Sequence, residues 1–168
     1  MNVERTDLFE KKIGPAIRQR LYQHGQIKLA ANGQSMFPFI REGDICAFSS
    51  LNEESDLKKG CIVLYQSDSG RLIAHRLIGK VDNREKPFYW LIKGDSNIFA
   101  DPPVYPEQLL GILSDIRLSR HRVRLSHIFN PVWTALILNL PRLSWCVHKY
   151  LGLRRRAALK FGVSLKKT

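Results

Sequence analysis

The first twenty residues contain no apolar run. Glu4, Arg5, Asp7, Glu10, Lys11, Lys12, Arg18 and Arg20 interrupt every stretch that could form the core of a secretory signal or an N-terminal anchor, so neither is expected. Cysteine is scarce as well. Cys46, Cys61 and Cys146 are odd in number and far apart, and no Cys/His cluster has metal-ligand spacing. A disulfide scaffold and a zinc site are thereby set aside, no cofactor is called for, and buried, inert thiols are expected. Low-complexity tracts and repeats of solenoid period are absent, which removes disordered and repeat architectures from consideration. Long hydrophobic runs are missing too. The longest stretch near the C-terminus without Lys, Arg, Asp or Glu, Leu125 to Pro141, is broken by His127, Asn130, Pro131 and Asn139. It falls short of the roughly 20 mostly apolar residues of a spanning helix. A cytoplasmic protein, or one peripheral to the cytoplasmic face of a membrane, is the expectation.

The last absence is of acid. Residues 115–168 carry 12 Lys/Arg against Asp115 alone, whereas residues 1–114 carry 15 Lys/Arg against 14 Asp/Glu. The formal charge of +12 therefore sits almost wholly in the last third. A near-neutral domain followed by a segment suited to an anionic surface, membrane or nucleic acid, is what this asymmetry implies.

What is present belongs to a folded chain: 44% hydrophobic and 25% charged residues over 168 positions, enough for one domain with an appendage. Asp7 to about Gln23 has Leu8, Phe9, Ile13, Ile17 and Leu21 near helical spacing, with Gly14-Pro15 expected to kink or split the helix. Short runs rich in β-branched and aromatic residues follow: 26–31, 44–49, 61–65, 72–81, 88–92 and 109–118. Turn residues such as Asn32-Gly33, Gly43-Asp44, Lys59-Gly60 and Ser69-Gly70 separate them. The pattern predicts a mainly β fold: a helical segment over 1–24, a β-rich domain over 25–120 and a helical, apolar and basic extension over 121–168. In that extension Trp133, Leu136, Ile137, Leu140, Leu143 and Trp145 precede Arg154-Arg155-Arg156. Two readings stand side by side: a helix lying in a membrane interface, or a helical hairpin packed on the domain with a solvated basic tail.

Three groups could carry chemistry. Ser35 lies in the Gly-containing turn Asn32-Gly33-Gln34-Ser35-Met36-Phe37-Pro38, ahead of Gly43-Asp44. Forty residues on, His75 is a polar residue within the strand-like run Leu72-Ile73-Ala74-His75-Arg76-Leu77. Acids follow at Asp95 and Asp101. A serine hydroxyl becomes a nucleophile when a base takes its proton, and an imidazole of pKa about 6.5 suits that task near neutral pH. The imidazole then needs an acceptor on its other nitrogen. Spacing does not say which groups converge.

In order and spacing, Gly33-Gln34-Ser35-Met36-Phe37-Pro38, Gly43-Asp44, Ala74-His75-Arg76 and Lys93-Gly94-Asp95-Ser96-Asn97 up to Asp101 resemble the boxes of type I signal peptidases. The larger grouping of that family includes LexA-like self-cleaving repressors. The resemblance spans about residues 27–113. It implies a signal peptidase/LexA-like β fold and a serine endopeptidase with Ser35 as nucleophile. His75-Arg76 looks like the endoplasmic-reticulum and archaeal type, in which histidine replaces lysine as base. The late aspartate of that type matches Asp101, with Asp95 a second acid nearby. Gly33 stands where signal peptidases commonly have a serine that helps the oxyanion hole, leaving the Ser35 backbone N–H as the assigned donor. The implied partner is a peptide or preprotein lying along a β edge, with small residues favoured near the cut. A LexA-like DNA-binding regulator and a noncatalytic peptide-binding module are the alternatives. Too little chain precedes the β region for a helix-turn-helix, which sets DNA behind an anionic membrane surface as partner of the basic extension.

Overall fold

The computed structural model describes residues 2–51, 57–83, 86–117 and 129–160. Among them one antiparallel sheet of six strands is preceded along the chain by one helix and followed by two. Helix α1 spans Asn2–His24. The strands are β1 Gln26–Ala30, β2 Ile45–Ser50, β3 Ile62–Gln66, β4 Leu72–Asn83, β5 Lys86–Lys93 and β6 Leu109–Arg117. Helices α2, Phe129–Asn139, and α3, Pro141–Lys160, close the described chain. Each predicted strand appears within a few residues of its expected place; Leu118 and His121 lie outside the described residues. The helices together hold more residues than the strands, so "mainly β" describes the sheet region and not the whole, which is mixed α/β.

Sheet order is β1-β2-β6-β3-β4-β5. Period-two alternation sorts the core onto its two faces. On β3, Ile62 and Leu64 join Leu21, Met36, Phe39, Ile40, Phe48 and Leu110 on one side. Val63 and Tyr65 join Leu77, Trp90, Ile92 and Val104 on the other. A strand buried on both faces reads as a continuous apolar run, which Ile62-Val63-Leu64-Tyr65 is. Register shifts at Ala47/Phe48, Leu64/Tyr65 and Leu77/Gly79 mark bulges, which bend a sheet and add twist. The curl is sufficient for residues 29–31 at the end of β1 and 71–75 at the start of β4 to line one cavity, although three strands separate β1 from β4.

Helix α1 is one element through Pro15 rather than two. Pro15 is solvent-exposed, and the turns after it are tied down: Leu21 is buried in the core, and Arg18 donates to the carbonyls of Glu107 and Leu109 at 2.6 and 3.2 Å. Tertiary anchoring of this kind outweighs the single hydrogen bond a proline removes. The C-terminal helices pack on the sheet region through Ile137, which is buried, and through Trp133, Thr134 and Ser144, which bond to it. No helix among the described residues is long and apolar enough to cross a membrane. The expectation of buried thiols holds for Cys46. Cys61 is half-buried, and Cys146 is exposed on α3. Burial, then the Asp44 charge, pushes the Cys46 thiol up to about 12.

Candidate active site

Ser35 sits in the turn between β1 and β2, and the ends of that loop are closed by the residues around Gly43-Asp44. Ala31 N–H donates to the Asp44 carbonyl at 2.7 Å and Gly43 N–H returns to the Ala31 carbonyl at 2.9 Å. The buried Asp44 carboxylate accepts the Arg41 N–H at 2.9 Å. Inside the loop, Phe37 N–H bonds to the Gln34 carbonyl and Ile40 N–H to the Met36 carbonyl, while Met36, Phe39 and Ile40 are buried. Gly33 has φ of 93°, a value that favours glycine, immediately ahead of Gln34 and Ser35.

A second loop pins the serine from the far side. Ser96 N–H donates to the Ser35 carbonyl at 2.9 Å, and Ser96 Oγ lies 3.0 and 3.1 Å from the carbonyls of Gln34 and Ser35. Gly94 permits this approach, since a Cβ there would come within 3.0 Å of the Ser35 carbonyl oxygen. The resulting frame, made of the Ser96 N–H and hydroxyl, holds Ser35 by its carbonyl and leaves the Ser35 hydroxyl unused.

His75 is paired with Val63 on β3, one residue before the last β4–β5 pair, Arg76↔Lys93. Because β5 stops there, the chain that leaves it can turn back past His75. The Asp101 N–H bonds to the Ile92 carbonyl at 2.8 Å, and Val104 bridges Trp90. Asp101 is thereby set against the imidazole. His75 Nδ1 lies 2.6 Å from Asp101 Oδ2, and His75 Nε2 lies 2.9 Å from Ser35 Oγ. The two ring nitrogens are engaged by an acid on one side and a hydroxyl on the other. With Nδ1 carrying the hydrogen toward the carboxylate, Nε2 is an acceptor for the serine proton.

Asp95 is placed elsewhere. Arg76 points to the opposite face of β4 from His75 and grips Asp95 in a fork, Nε to Oδ1 and Nη2 to Oδ2, both at 2.8 Å. Trp133 Nε1 donates to Asp95 Oδ2 at 2.7 Å, and Arg76 Nη1 reaches the Gly60 carbonyl and Thr134 Oγ1, each at 2.7 Å. Of the two acids left open by spacing, Asp101 meets His75 and Asp95 meets Arg76.

Several contributors carry no local signal. Tyr65 is buried beneath the acid: its hydroxyl is held protonated first by burial, then by the Asp101 charge and a hydrogen bond to that carboxylate. In sequence it is only an inward strand residue. Lys93 Nζ bridges the Asn97 carbonyl at 2.8 Å and Ser144 Oγ at 2.6 Å, and burial lowers its pKa. The Tyr150 ring stacks on Phe37, two residues beyond the serine, with centroids 6.0 Å apart. Helix α3 therefore touches both loops that frame Ser35.

A cavity of about 500 Å³ opens beside Ser35 and His75, lined mainly by apolar side chains that include Leu29, Ala31, Ile40, Leu72 and Ala74. Two strand edges face it. Among the described residues β1 pairs only with β2, and β4 gains its β5 partner only from Arg76 onward, so residues 72–75 have β3 on one side alone. No protein-family model matches the chain, and no curated protein matches it.

Proposed function

We propose that the protein is a serine endopeptidase of the type I signal peptidase kind, using Ser35 as nucleophile, His75 as general base and Asp101 to orient the imidazole. The chain of contacts from Ser35 Oγ through His75 to Asp101, at 2.9 and 2.6 Å, carries the reading. Ser35 Oγ attacks the scissile carbonyl carbon as its proton passes to His75 Nε2. The resulting imidazolium, stabilised by the Asp101 carboxylate, returns that proton to the leaving amine as the C–N bond breaks. Water then attacks the acyl-serine ester, giving a proton to His75, and the Ser35 hydroxyl is regenerated as the acid product leaves.

An extended substrate fits between the free edge of β1 and the unpaired start of β4. Strand addition there supplies main-chain hydrogen bonds, while the apolar cavity selects small or aliphatic side chains near the cut. Within this proposal the sheet is a signal peptidase-like scaffold, as the four sequence boxes imply. The test is labelling of the full chain by a fluorophosphonate, together with cleavage of a peptide library. Labelling lost in both Ser35→Ala and His75→Ala, and cleavage after small residues, is the expected result. Wild-type protein that neither labels nor cleaves would leave the noncatalytic peptide-binding reading in its place.

A further inference from the structure

The outer side of the two C-terminal helices is not built like the rest of the surface. Helix α2 contains no charged residue. Its inner side is spent on the sheet region, through the buried Ile137 and through Trp133 and Thr134 bonded to Asp95 and Arg76. Its outer side presents Val132, Leu136 and, at its end, Leu140, with 60, 41 and 51% of their surface exposed. Trp145 on the first turns of α3 is 52% exposed. The loop bearing Ile98 and the 81% exposed Phe99 adjoins this end of α3, because Lys93 bonds Asn97 and Ser144 together.

Charge along α2 and α3 has one sign. Arg142, Lys149 and Arg154-Arg155-Arg156 are exposed along α3, and residues 116–168 contain no Asp or Glu. A surface that pairs exposed aliphatic and aromatic side chains with unopposed cations matches the boundary of an anionic bilayer, whose headgroups attract the cations while its acyl edge takes the apolar strip. Nucleic acid would use the cations and leave Val132, Leu136 and Leu140 in water. An acid-free surface also repels a second copy of itself.

We infer that the outer face of α2–α3 docks the protein on an anionic membrane surface, peripherally and without crossing it. The contacts of the same two helices with Phe37, Asp95 and Lys93 then hold the Ser35 groove close to the lipid. The inference goes beyond the peptidase reading and stands without it, because none of the docking residues belongs to the Ser35, His75 and Asp101 set.

Sedimentation of the full chain with phosphatidylcholine vesicles, with and without about one-third phosphatidylglycerol, tests it. Binding to the anionic vesicles only is expected, with a blue shift of Trp fluorescence that is reduced in Trp145→Phe. Replacing Arg154, Arg155 and Arg156 by Gln should weaken binding about 100-fold, the effect of three cations near a charged headgroup layer. The pair Val132→Glu and Leu136→Glu should weaken it at least tenfold, with circular dichroism and melting read on every variant. The arginine variant alters exposed residues only, so it keeps the test open if the glutamate pair unfolds. Ser35→Ala should bind as the wild type does, which separates this inference from the fate of the peptidase reading. No vesicle binding overturns it. So does DNA binding unaffected by the glutamate pair, which makes the surface a nucleic-acid site, or a dimer that this pair dissociates.

Discussion

His75 and Arg76 are neighbours on β4, and each ends on an aspartate, yet the two sides of the strand have become different kinds of site. Toward one face, Arg76 and Asp95 have 1% of each side chain exposed, and an indole, a hydroxyl and a carbonyl take up further hydrogen-bonding positions around the pair. Toward the other, His75 and Asp101 keep 9 and 12% exposed, and the outer imidazole nitrogen rests on a hydroxyl at the wall of an open cavity. Arginine stays charged throughout the physiological range and suits a forked, saturated contact, whereas histidine changes charge near neutral pH. A closed charge pair holds loops and helices in place. An aspartate–imidazole pair with one nitrogen directed at a nucleophile can move a proton.

The sharpest way to break this contrast is to remove the reacting groups on the His75 side. Ser35→Ala or His75→Ala should lower peptide kcat about a millionfold, and Asp101→Asn about 10⁴-fold, each with a melting curve close to that of the wild type. If Asp95→Asn abolished cleavage in a fully folded protein while Asp101→Asn did not, the roles assigned to the two sides would be reversed. On the Arg76 side the expected loss is in stability. Asp95→Ala leaves a buried guanidinium unpaired and should cost about 3–5 kcal/mol in urea unfolding. The double change Arg76→Met with Asp95→Leu should cost less than the single one, since it removes both charges together.

Smaller effects refine the comparison. Tyr65→Phe deletes the hydroxyl bonded to Asp101, and a positioning role predicts a fall of about tenfold in kcat with KM unchanged, or about 1.4 kcal/mol. A merely structural hydroxyl would lower the melting temperature and leave kcat alone. The face that carries Arg76 also buries Cys46. The folded thiol keeps its proton up to about 12, while the unfolded one loses it near 9.0. Its contribution to stability is therefore complete below pH 9.0 and is lost as pH rises toward 12. Cys46→Ala should flatten that alkaline decline by about 1.4 kcal/mol per pH unit in denaturant unfolding at stepped pH.

Much of this arrangement is local and so was visible beforehand. The strands could be placed because β-branched and aromatic runs alternate with Gly, Asn and Asp turns, and pairing does not alter that pattern. Ser35 and His75 stood out because a Gly-containing turn and a polar residue inside an apolar strand are features of a few adjacent residues. The helix is not split at Pro15 for the opposite reason: Arg18 and Leu21 are anchored by partners far along the chain, and those contacts override a local preference. Cys146 was expected inside and lies outside because the side of a helix that faces the sheet is set by packing, here through Ser144 and Lys93.

From sequence alone came the order of elements, the concentration of positive charge in the last third, and a serine, a histidine and two acids able to work together. The resemblance pointed to Asp101 ahead of Asp95, but the contact that brings an acid to the imidazole is made in three dimensions. Asp95 and Asp101 are six residues apart in similar surroundings, and no local propensity ranks them. β5 ends opposite Arg76, the following turn leaves Asp95 beneath the strand within reach of the guanidinium, and the returning chain brings Asp101 against His75. Hydrogen bonds depend on position in space and not on distance along the chain, so the roles of Tyr65, Trp133 and Ser144 emerged only with the tertiary structure.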